Sequence, residues 1–236
     1  MSDSLGDRIK ERYENRARIF LPRRSPVIIR VDGKAFHTFT KGMIRPFDWG
    51  FMNAMNQTAI TLIEEIQGSA FAFVQSDEIS VLLCDYQKRD SDAWFDYNIQ
   101  KMASVSAATA TAAFIRAIPP PDGHRWPTFD ARCFSIPDLV EVANYFIWRQ
   151  KDAERNSLQM VAQSAFSHKE LHGKSCSDLH EMLHTKGMNW NSYTPREKRG
   201  GLVLRGERGV QMHDCPIFTQ EPELLRKLIP VQGYEE

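Results

Sequence analysis

The chain has 236 residues, of which 42% are hydrophobic and 25% are charged, a composition typical of a folded globular protein. Its 30 Lys and Arg residues balance its 30 Asp and Glu residues, so the net charge neither favours nor excludes a polyanionic partner. The four cysteines are scattered without a Cys-x-x-Cys pair, which argues against a disulfide scaffold and a zinc ribbon. A polar N-terminus and the lack of a long apolar run indicate a cytoplasmic protein without a signal peptide or a membrane span.

The first half of the sequence predicts an alternation of strands and helices. Apolar residues at spacings of three and four indicate the helices, and short β-rich runs indicate the strands. In chain order the predicted elements are a helix at 7–19, a strand at 25–31, a helix at 51–67, two strands joined by a Gln-Ser-Asp-Glu turn at 70–84, a helix at 91–118 with Ser91 as its N-cap, and a strand within 127–137.

From the first strand onward, this order is the split βαβ or ferredoxin-like pattern. Residues 137–236 are predicted to be mainly helical, with one short strand at 201–206 and a polar tail. We therefore predict an α+β fold, with a ferredoxin-like polymerase palm (βαββαβ) over residues 1–136 and an appended mainly helical half over 137–236. The two parts are expected to form one compact unit.

Two aspartates are predicted to meet at one end of this sheet. In the ferredoxin-like order the first and third strands are neighbours, and Asp32 ends the first while Asp77 lies in the turn before the third. Carboxylate oxygens are ligands that Mg²⁺ prefers, and bound phosphates complete its octahedron. Two such ions about 3.5–4 Å apart activate an attacking oxygen and stabilise a leaving one. Each motif alone is also an ordinary turn, so only the pair predicts a two-metal site.

The run that follows Asp32 is predicted to hold phosphates. Gly33 has no Cβ, so its backbone can approach a ligand closely, and the amides of residues 33–37 are expected to cradle a triphosphate. Lys34, together with Lys101 from the long helix, is expected to neutralise phosphate charge. His37 is either a phosphate donor or a packing histidine. Glu78 is either an outer carboxylate or, as we expect, a strand-edge charge.

Two basic segments, at 7–24 and 195–209, are candidates for contacts with phosphates or a nucleic acid. The alternative is that both are solvated helix and loop. Charge alone does not decide between these interpretations.

Five separated segments resemble the tRNA-His guanylyltransferase family in their order and spacing. They are RVDGKAFHTF, QSDEIS, FDARCFSIP, YFIWRQKDAERNS and LHGKSCSDLHEML. The resemblance implies a palm-like core that adds nucleotides to the 5′ end of tRNA in the 3′-to-5′ direction. ATP or GTP first activates the 5′-monophosphate, and the 3′-OH of the incoming nucleotide then attacks the activated end. The resemblance also implies two Mg²⁺ ions per active site, with tRNA and nucleoside triphosphates as partners, in a homotetramer.

The resemblance, with the charge argument, assigns roles to single residues. The implied metal ligands are Asp32, Gly33 and Asp77, of which Asp32 and Asp77 are catalytic. The expected nucleotide-binding residues are Asp32, Gly33, Lys34, Ala35, Phe36, His37, Arg45, Asp48, Ser76, Asp77 and Lys101. The expected tRNA-binding residues are Arg23, Arg24, Arg155, Asn156, Arg196, Lys198 and Arg199.

Some positions depart from the family pattern. Its H-I-N-N motif is replaced by Glu154-Arg155-Asn156-Ser157, and its D-K-N-E motif by Asp178-Leu179-His180-Glu181. Both changes resemble the guanylyltransferase-like proteins of bacteria and archaea, which implies templated addition to 5′-truncated tRNA, a repair activity. The alternatives are a non-templated tRNA-His guanylyltransferase, a nucleotidyl cyclase on the same palm, and a catalytically silent RNA-binding module.

Overall fold

The structure, a computed structural model, describes residues 4–120 and 126–231. Within these ranges six strands form one sheet in the spatial order β4-β1-β3-β2-β5-β6, and every neighbouring pair is antiparallel. The strands are β1 (Val27–Gly33), β2 (Ser69–Gln75), β3 (Glu78–Leu83), β4 (Phe129–Ser135), β5 (Gly201–Gly206) and β6 (Gly209–Asp214). The first and third strands are therefore neighbours, as the sequence predicts.

Helices cover both faces of this sheet. They are α1 (Leu5–Ile9), α2 (Phe36–Phe39), α3 (Trp49–Glu65), α4 (Ile99–Ala117), α5 (Leu139–Ala165), α6 (His168–Leu171), α7 (Cys176–Thr185), α8 (Pro195–Arg199) and α9 (Pro222–Leu228). In the part of the chain that the structure describes, no helix is long and apolar enough to cross a membrane.

The alternation of side chains along β1 explains why both faces are buried. Val27, Ile29 and Val31 belong to a core shared with α3 and α4, whereas Ile28 belongs to a second core shared with α5 and α9. A strand buried on both faces reads as a near-continuous apolar run, which is how this segment appears in the sequence.

The second half of the chain completes the sheet rather than standing apart from it. β5 pairs with β2, and β6 pairs with β5 at the edge. α5 lies across the second face, where Phe146 packs on Phe71 of β2 with their ring centroids 4.5 Å apart. The prediction of a polar tail after β5 is wrong, because this segment contains the strand β6 and the helix α9. The division of the chain at residue 136 stays a prediction.

The predicted start of the long helix is also corrected. α4 begins at Ile99, and its N-cap is Asn98, whose Oδ1 accepts from the amide of Lys101 at 3.0 Å. Ser91 lies in the preceding loop, where its Oγ accepts from the amide of Lys88 at 3.1 Å. Both Ser and Asn are good N-cap residues, so residue type alone does not exclude Ser91.

Candidate active site

A row of polar side chains crosses four neighbouring strands at one end of the sheet. Asp130 of β4 pairs with Asp32 of β1, Asp32 pairs with Glu78 of β3, and Glu78 pairs with Gln75 of β2. Side chains at directly paired positions share a face of a sheet, so all four lie on the face that α5 covers. This row contains three carboxylates, of which the sequence motifs predict a direct role only for Asp32.

Two arginines lie on the same face, two residues further along β1 and β4, and balance part of this negative charge. Arg132 of β4 pairs with Arg30 of β1, and both lie on the same face as the carboxylates. Burial raises the pKa of Asp32, and the charge of Asp130 raises it further, while Arg132 and Arg30 oppose the rise. The sequence motifs do not assign Arg30, Asp130 or Arg132 to the site.

Asp77 lies beside Asp32, as predicted. The amide of Gly33 donates to the carbonyl of Asp77 at 3.0 Å, which ties the end of β1 to the turn between β2 and β3. Burial raises the pKa of Asp77, and the charge of Asp32 adds to that rise. Two close carboxylates with hard oxygen donors suit a divalent cation such as Mg²⁺, which would relieve their repulsion. No group of three or more His, Cys, Asp or Glu side chains arranged to hold a metal is found within residues 4–120 and 126–231.

The turn after Asp32 depends on the absence of a side chain at Gly33. A Cβ at this position would lie 2.5 Å from a ring carbon of Phe36, which itself packs in the core shared with α3 and α4. Ala35 then takes a left-handed conformation with φ 56° before α2 begins. The chain therefore reverses tightly against the aromatic core and presents residues 34–37 beside the carboxylates.

The predicted phosphate cradle is narrower than the sequence suggested. The amide of Gly33 donates to Asp77, and the amide of Lys34 donates to the carbonyl of Thr128 at 2.8 Å. Those two amides thus bond within the protein rather than to a ligand. Of the five amides predicted to hold a triphosphate, those of Ala35, Phe36 and His37 remain candidates.

One open cleft brings most of the predicted nucleotide-binding side chains together. This active-site cleft, of about 1000 Å³ with its mouth included, is lined by Phe36, His37, Arg45, Asp48, Ser76 and Asp77 among others. Asp48 also has a structural role as the N-cap of α3, since its carboxylate accepts from the amides of Phe51 at 2.9 Å and Ile44 at 3.1 Å. Arg45 and His37 are exposed at the surface of the cleft.

Lys101 lies far from the active-site cleft and the carboxylates. Its prediction as a nucleotide-binding residue is therefore wrong. β3 runs from Glu78 beside the carboxylates to Leu83, and α4 starts beyond that far end. A strand of this length extends about 20 Å. Lys101 lies in the first turn of α4, with its Nζ 5.5 Å from the centroid of the Phe95 ring. It therefore cannot reach phosphates bound beside Asp32 and Asp77.

Glu78 is a buried ion-pair partner rather than a strand-edge charge. β3 lies inside the sheet, and Arg149 of α5 donates to both carboxylate oxygens of Glu78, at 2.8 and 2.7 Å. The same guanidinium donates to Asp152 at 3.0 Å and stacks on Trp148. A sequence signal existed, because Arg149 falls on the buried stripe of α5 with Val142, Phe146 and Ala153.

The basic residues predicted to contact tRNA do not form a single patch. Arg23 pairs with Asp85 at 2.6 Å beyond the far end of β3, and the backbone amide of Arg24 donates to the same carboxylate. Lys198 and Arg199 lie in α8, immediately before β5. The first residue of β5 pairs with Val74, at the end of β2 that lies near the row of carboxylates. The two basic segments are thus at opposite ends of the sheet.

Arg196 needs a separate correction, because it is only 8% exposed. Its Nε and Nη2 both donate to Oδ1 of Asn56, at 3.1 and 2.7 Å, and burial lowers its pKa to about 10. A surface contact with tRNA through this side chain is therefore excluded. Arg155 pairs with Asp152 on α5, and Asn156 donates to the same carboxylate at 3.3 Å.

A family model described as tRNAHis guanylyltransferase (Thg1) matches residues 6–137 of the chain. The chain belongs to the tRNAHis guanylyltransferase family. The tRNA(His) guanylyltransferase of Debaryomyces hansenii is 30% identical to it over 198 residues, which cover 76% of this chain and 73% of that protein. The corresponding enzyme of Saccharomyces cerevisiae is 28% identical over 218 residues, covering 84% of this chain and 89% of that protein.

Solved structures of the guanylyltransferase family have the same overall fold. A bacterial tRNA(His) guanylyltransferase (Thg1)-like protein in complex with ATP superimposes with a TM-score of 0.90 at 42% identity, covering 97% of this chain and all of that one. A complex of such a bacterial protein with GTP gives a TM-score of 0.81 at 39% identity, covering 95% and 99%. The S. cerevisiae enzyme gives 0.72 at 25% identity, covering 89% and 98%. The expected family and the expected enzyme class, a nucleotidyltransferase, are confirmed.

Proposed function

We propose that this nucleotidyltransferase adds nucleotides in the 3′-to-5′ direction to the 5′ end of truncated tRNA, using the tRNA itself as template. ATP or GTP first activates the 5′-monophosphate, and the biological outcome is repair of the tRNA 5′ end. The observation that carries the proposal is the position of Asp77, which lines the active-site cleft and lies beside Asp32, with the amide of Gly33 bonded to the Asp77 carbonyl. The strand order β4-β1-β3-β2 supports a ferredoxin-like palm as the scaffold.

Asp32, Asp77 and the carbonyl of Gly33 are the groups that would hold two Mg²⁺ ions. When bound, such ions neutralise phosphate oxygens and stabilise both the attacking and the leaving oxygen of a displacement. The protein's own contribution is to fix its ligands before substrate arrives. The hydrogen bond from Gly33 to the Asp77 carbonyl and the packing of Phe36 against Gly33 keep the two carboxylates side by side.

The remaining groups of the cleft bind and orient the triphosphate. The amides of residues 35–37 donate to its oxygens, and Lys34, His37 and Arg45 add positive charge or further donors. Ser76, at the tip of the turn that carries Asp77, contacts the same nucleotide. Holding the reacting atoms in line supplies much of the rate, because small misplacements cost large factors.

The segment 154–157 supports a templated reaction over a dedicated guanylate addition. Its last side chain is engaged within the chain, since Ser157 donates to the carbonyl of Lys198 at 2.8 Å and accepts from Nε1 of Trp190 at 3.0 Å. Base choice then falls to pairing with the tRNA nucleotide opposite the missing one. The higher identity to the bacterial Thg1-like protein than to the yeast enzyme, 42% against 25%, points the same way.

The test uses truncated tRNAs that differ only in the template base, with labelled nucleoside triphosphates. We expect the added nucleotide to change with the template and always to be its complement. Addition of guanylate at a similar rate opposite every base would identify a non-templated guanylyltransferase instead. A cyclic nucleotide formed without tRNA would identify a nucleotidyl cyclase.

We also propose that the protein assembles as a homotetramer. The helical segment from Leu5 to Ala17 buries no residue, and Leu5, Ile9 and Tyr13 are exposed at spacings of four. An apolar face of this kind is available to cover a neighbouring subunit. Sedimentation equilibrium of the full chain tests the assembly, and a monomer at micromolar concentration would contradict it.

A further inference from the structure

The helix α7 carries a sequence motif that the proposed chemistry does not use. Residues 180–184 read His-Glu-Met-Leu-His, and the whole motif lies inside α7, which runs from Cys176 to Thr185. On a helix, the spacing His-Glu-x-x-His places two imidazoles on one face, where they bind a metal such as Zn²⁺. The motif therefore raises the question of a second metal site, away from the sheet.

The packing of α7 holds its two histidines side by side. His180 and His184 are separated by about 6 Å along the helix axis and by about 40° around it. Side chains at this spacing are neighbours on a helix surface. A capping box fixes the first turn of the helix, and the buried Leu179 and Leu183 anchor its inner face against α5. The spacing of the two imidazoles is thus set by the fold before a metal arrives.

Both imidazoles are accessible from solvent, and one of them rests on a fixed aromatic ring. His180 and His184 are exposed. The ring of His180 meets the ring of Trp190 edge to face, with their centroids 5.7 Å apart. Trp190 is itself held by a hydrogen bond from its Nε1 to Oγ of Ser157 at 3.0 Å. A metal on His180 would therefore lie close to an indole whose position is fixed.

Two other pairs of side chains compete with this one as metal ligands. His168 and His172 have the same spacing in sequence, but α6 ends at Leu171 and His172 is extended, with φ −62° and ψ 127°. The four-residue spacing therefore does not place those two rings on one helix face. Cys176 lies one turn before His180 on α7 and is exposed, so its thiolate with His180 is the rival chelate.

Two histidines without a third ligand make a binding site rather than a protease-like one. Catalytic zinc is held by three protein ligands and keeps one open position. In the part of the chain that the structure describes, no group of three or more His, Cys, Asp or Glu side chains is arranged to hold a metal. Glu181, which stands where the motif has a general base, is exposed on the helix surface.

We propose that His180 and His184 chelate a divalent transition metal of the class of Zn²⁺, Ni²⁺ and Cu²⁺ on the exposed face of α7, with water completing its coordination. Imidazole suits these metals, whereas Mg²⁺ prefers oxygen ligands. The α7 site therefore differs in chemistry from the carboxylates Asp32 and Asp77. It does not depend on the proposed function, and either can fail without the other.

Calorimetric titration of the untagged full-length protein with Ni²⁺ tests the proposal. Excess Mg²⁺ occupies the carboxylates, and a phosphine reductant keeps the cysteines reduced. We expect binding at a single class of site and a loss of affinity in His184→Ala. Removing an outer partner of a metal ligand already costs about 10- to 100-fold, so the loss of a ligand should weaken binding by at least about 10-fold. Because His184 is exposed, the variant should fold normally.

Matched variants separate the α7 pair from the other ligands. His213→Ala removes an exposed imidazole from β6, and His172→Ala removes one from the competing pair; both should leave the Ni²⁺ affinity unchanged. Cys176→Ser should also leave it unchanged, and a loss of binding there would assign the metal to the thiolate instead. His184→Ala/Thr185→His keeps the number of histidines but moves the second ring to about 140° around the helix from His180. Binding restored in that variant would overturn the geometric argument.

The fluorescence of Trp190 reports where the metal binds. An open-shell ion such as Ni²⁺ on His180 lies beside the Trp190 ring and should quench its emission. In Trp190→Phe the calorimetric binding should persist, while the quenching on addition of Ni²⁺ should be lost. Quenching of the same size in Trp190→Phe would place the metal elsewhere. That result, no binding of Ni²⁺ by the wild-type protein, or equal affinity of the wild type and His184→Ala would overturn the proposal.

Discussion

Replacing Arg149 with Met is expected to destabilise the protein strongly, because it leaves the carboxylate of Glu78 buried without its partner. The side chains of Arg149 and Glu78 are 7% and 11% exposed, and two hydrogen bonds of 2.8 and 2.7 Å join them. Removing one partner of such a pair costs about 3–5 kcal/mol. In a chain of this length each kcal/mol lowers Tm by about 2–4 °C, so a fall of roughly 6–20 °C is expected.

A double-mutant cycle distinguishes this coupling from a general loss of packing. In Glu78→Gln/Arg149→Met no unpaired charge of this pair remains buried, so the double variant should recover part of the loss, with a coupling free energy of about 2 kcal/mol. Urea unfolding of the four proteins measures it. The matched control is Arg226→Met, whose ion pair with Glu223 is 70% exposed on both sides and should be worth at most about 1 kcal/mol. Strictly additive single changes would refute the reasoning.

Asp77→Asn is expected to slow nucleotide addition at least about 100-fold in saturating Mg²⁺ while the fold stays intact, because an amide supports a divalent ion poorly. Single-turnover assays measure this, and near-wild-type turnover would refute the metal assignment. Gly33→Ala places a Cβ 2.5 Å from the Phe36 ring, so urea unfolding should reveal a loss of about 1–3 kcal/mol. Neutralising Lys198 and Arg199 together should reduce the salt slope of tRNA binding by about one for each phosphate that is no longer neutralised, with less effect on free nucleotide.

The last two predictions each have a matched control in the chain. Gly6→Ala introduces a Cβ that meets only Ser4 Oγ at 3.8 Å, so it should not destabilise the protein as Gly33→Ala does. Arg226→Ala removes an exposed cation outside both basic segments and should leave the salt slope of tRNA binding unchanged. An equal midpoint for the two glycine variants, or an unchanged slope after neutralisation of Lys198 and Arg199, would contradict the respective prediction.

The neighbouring positions of Asp32 and Asp77 could be predicted because they depend only on strand order and on a short hairpin. The same topology already argued against Lys101, since a helix that follows β3 starts at the end opposite the turn before β3. The charge of Lys101 suggests phosphate binding only if the length of β3, which separates Lys101 from the carboxylates, is ignored. A positive charge on a predicted helix indicates a phosphate contact only once it is known at which end of the sheet that helix begins.

Other features depend on packing that a single sequence pattern does not specify. In β6 only Val210 and Met212 pack against the core, so this edge strand reads as a polar tail. Glu78 follows a turn motif and reads as a turn charge, yet it is the first residue of a central strand. Its burial becomes predictable only when α5 is known to place Arg149 above it.

α5 connects the candidate nucleotide site with the candidate tRNA contacts through one rigid element. Arg149 holds Glu78 next to Asp77, and eight residues later, about 12 Å along the helix, Ser157 holds the backbone of Lys198 in α8. The position of α8 relative to β3 is therefore set by a helix rather than by a loop. Because the side chain of Ser157 is occupied in holding that arrangement, a change at this position should alter where tRNA is held more than how the triphosphate is bound.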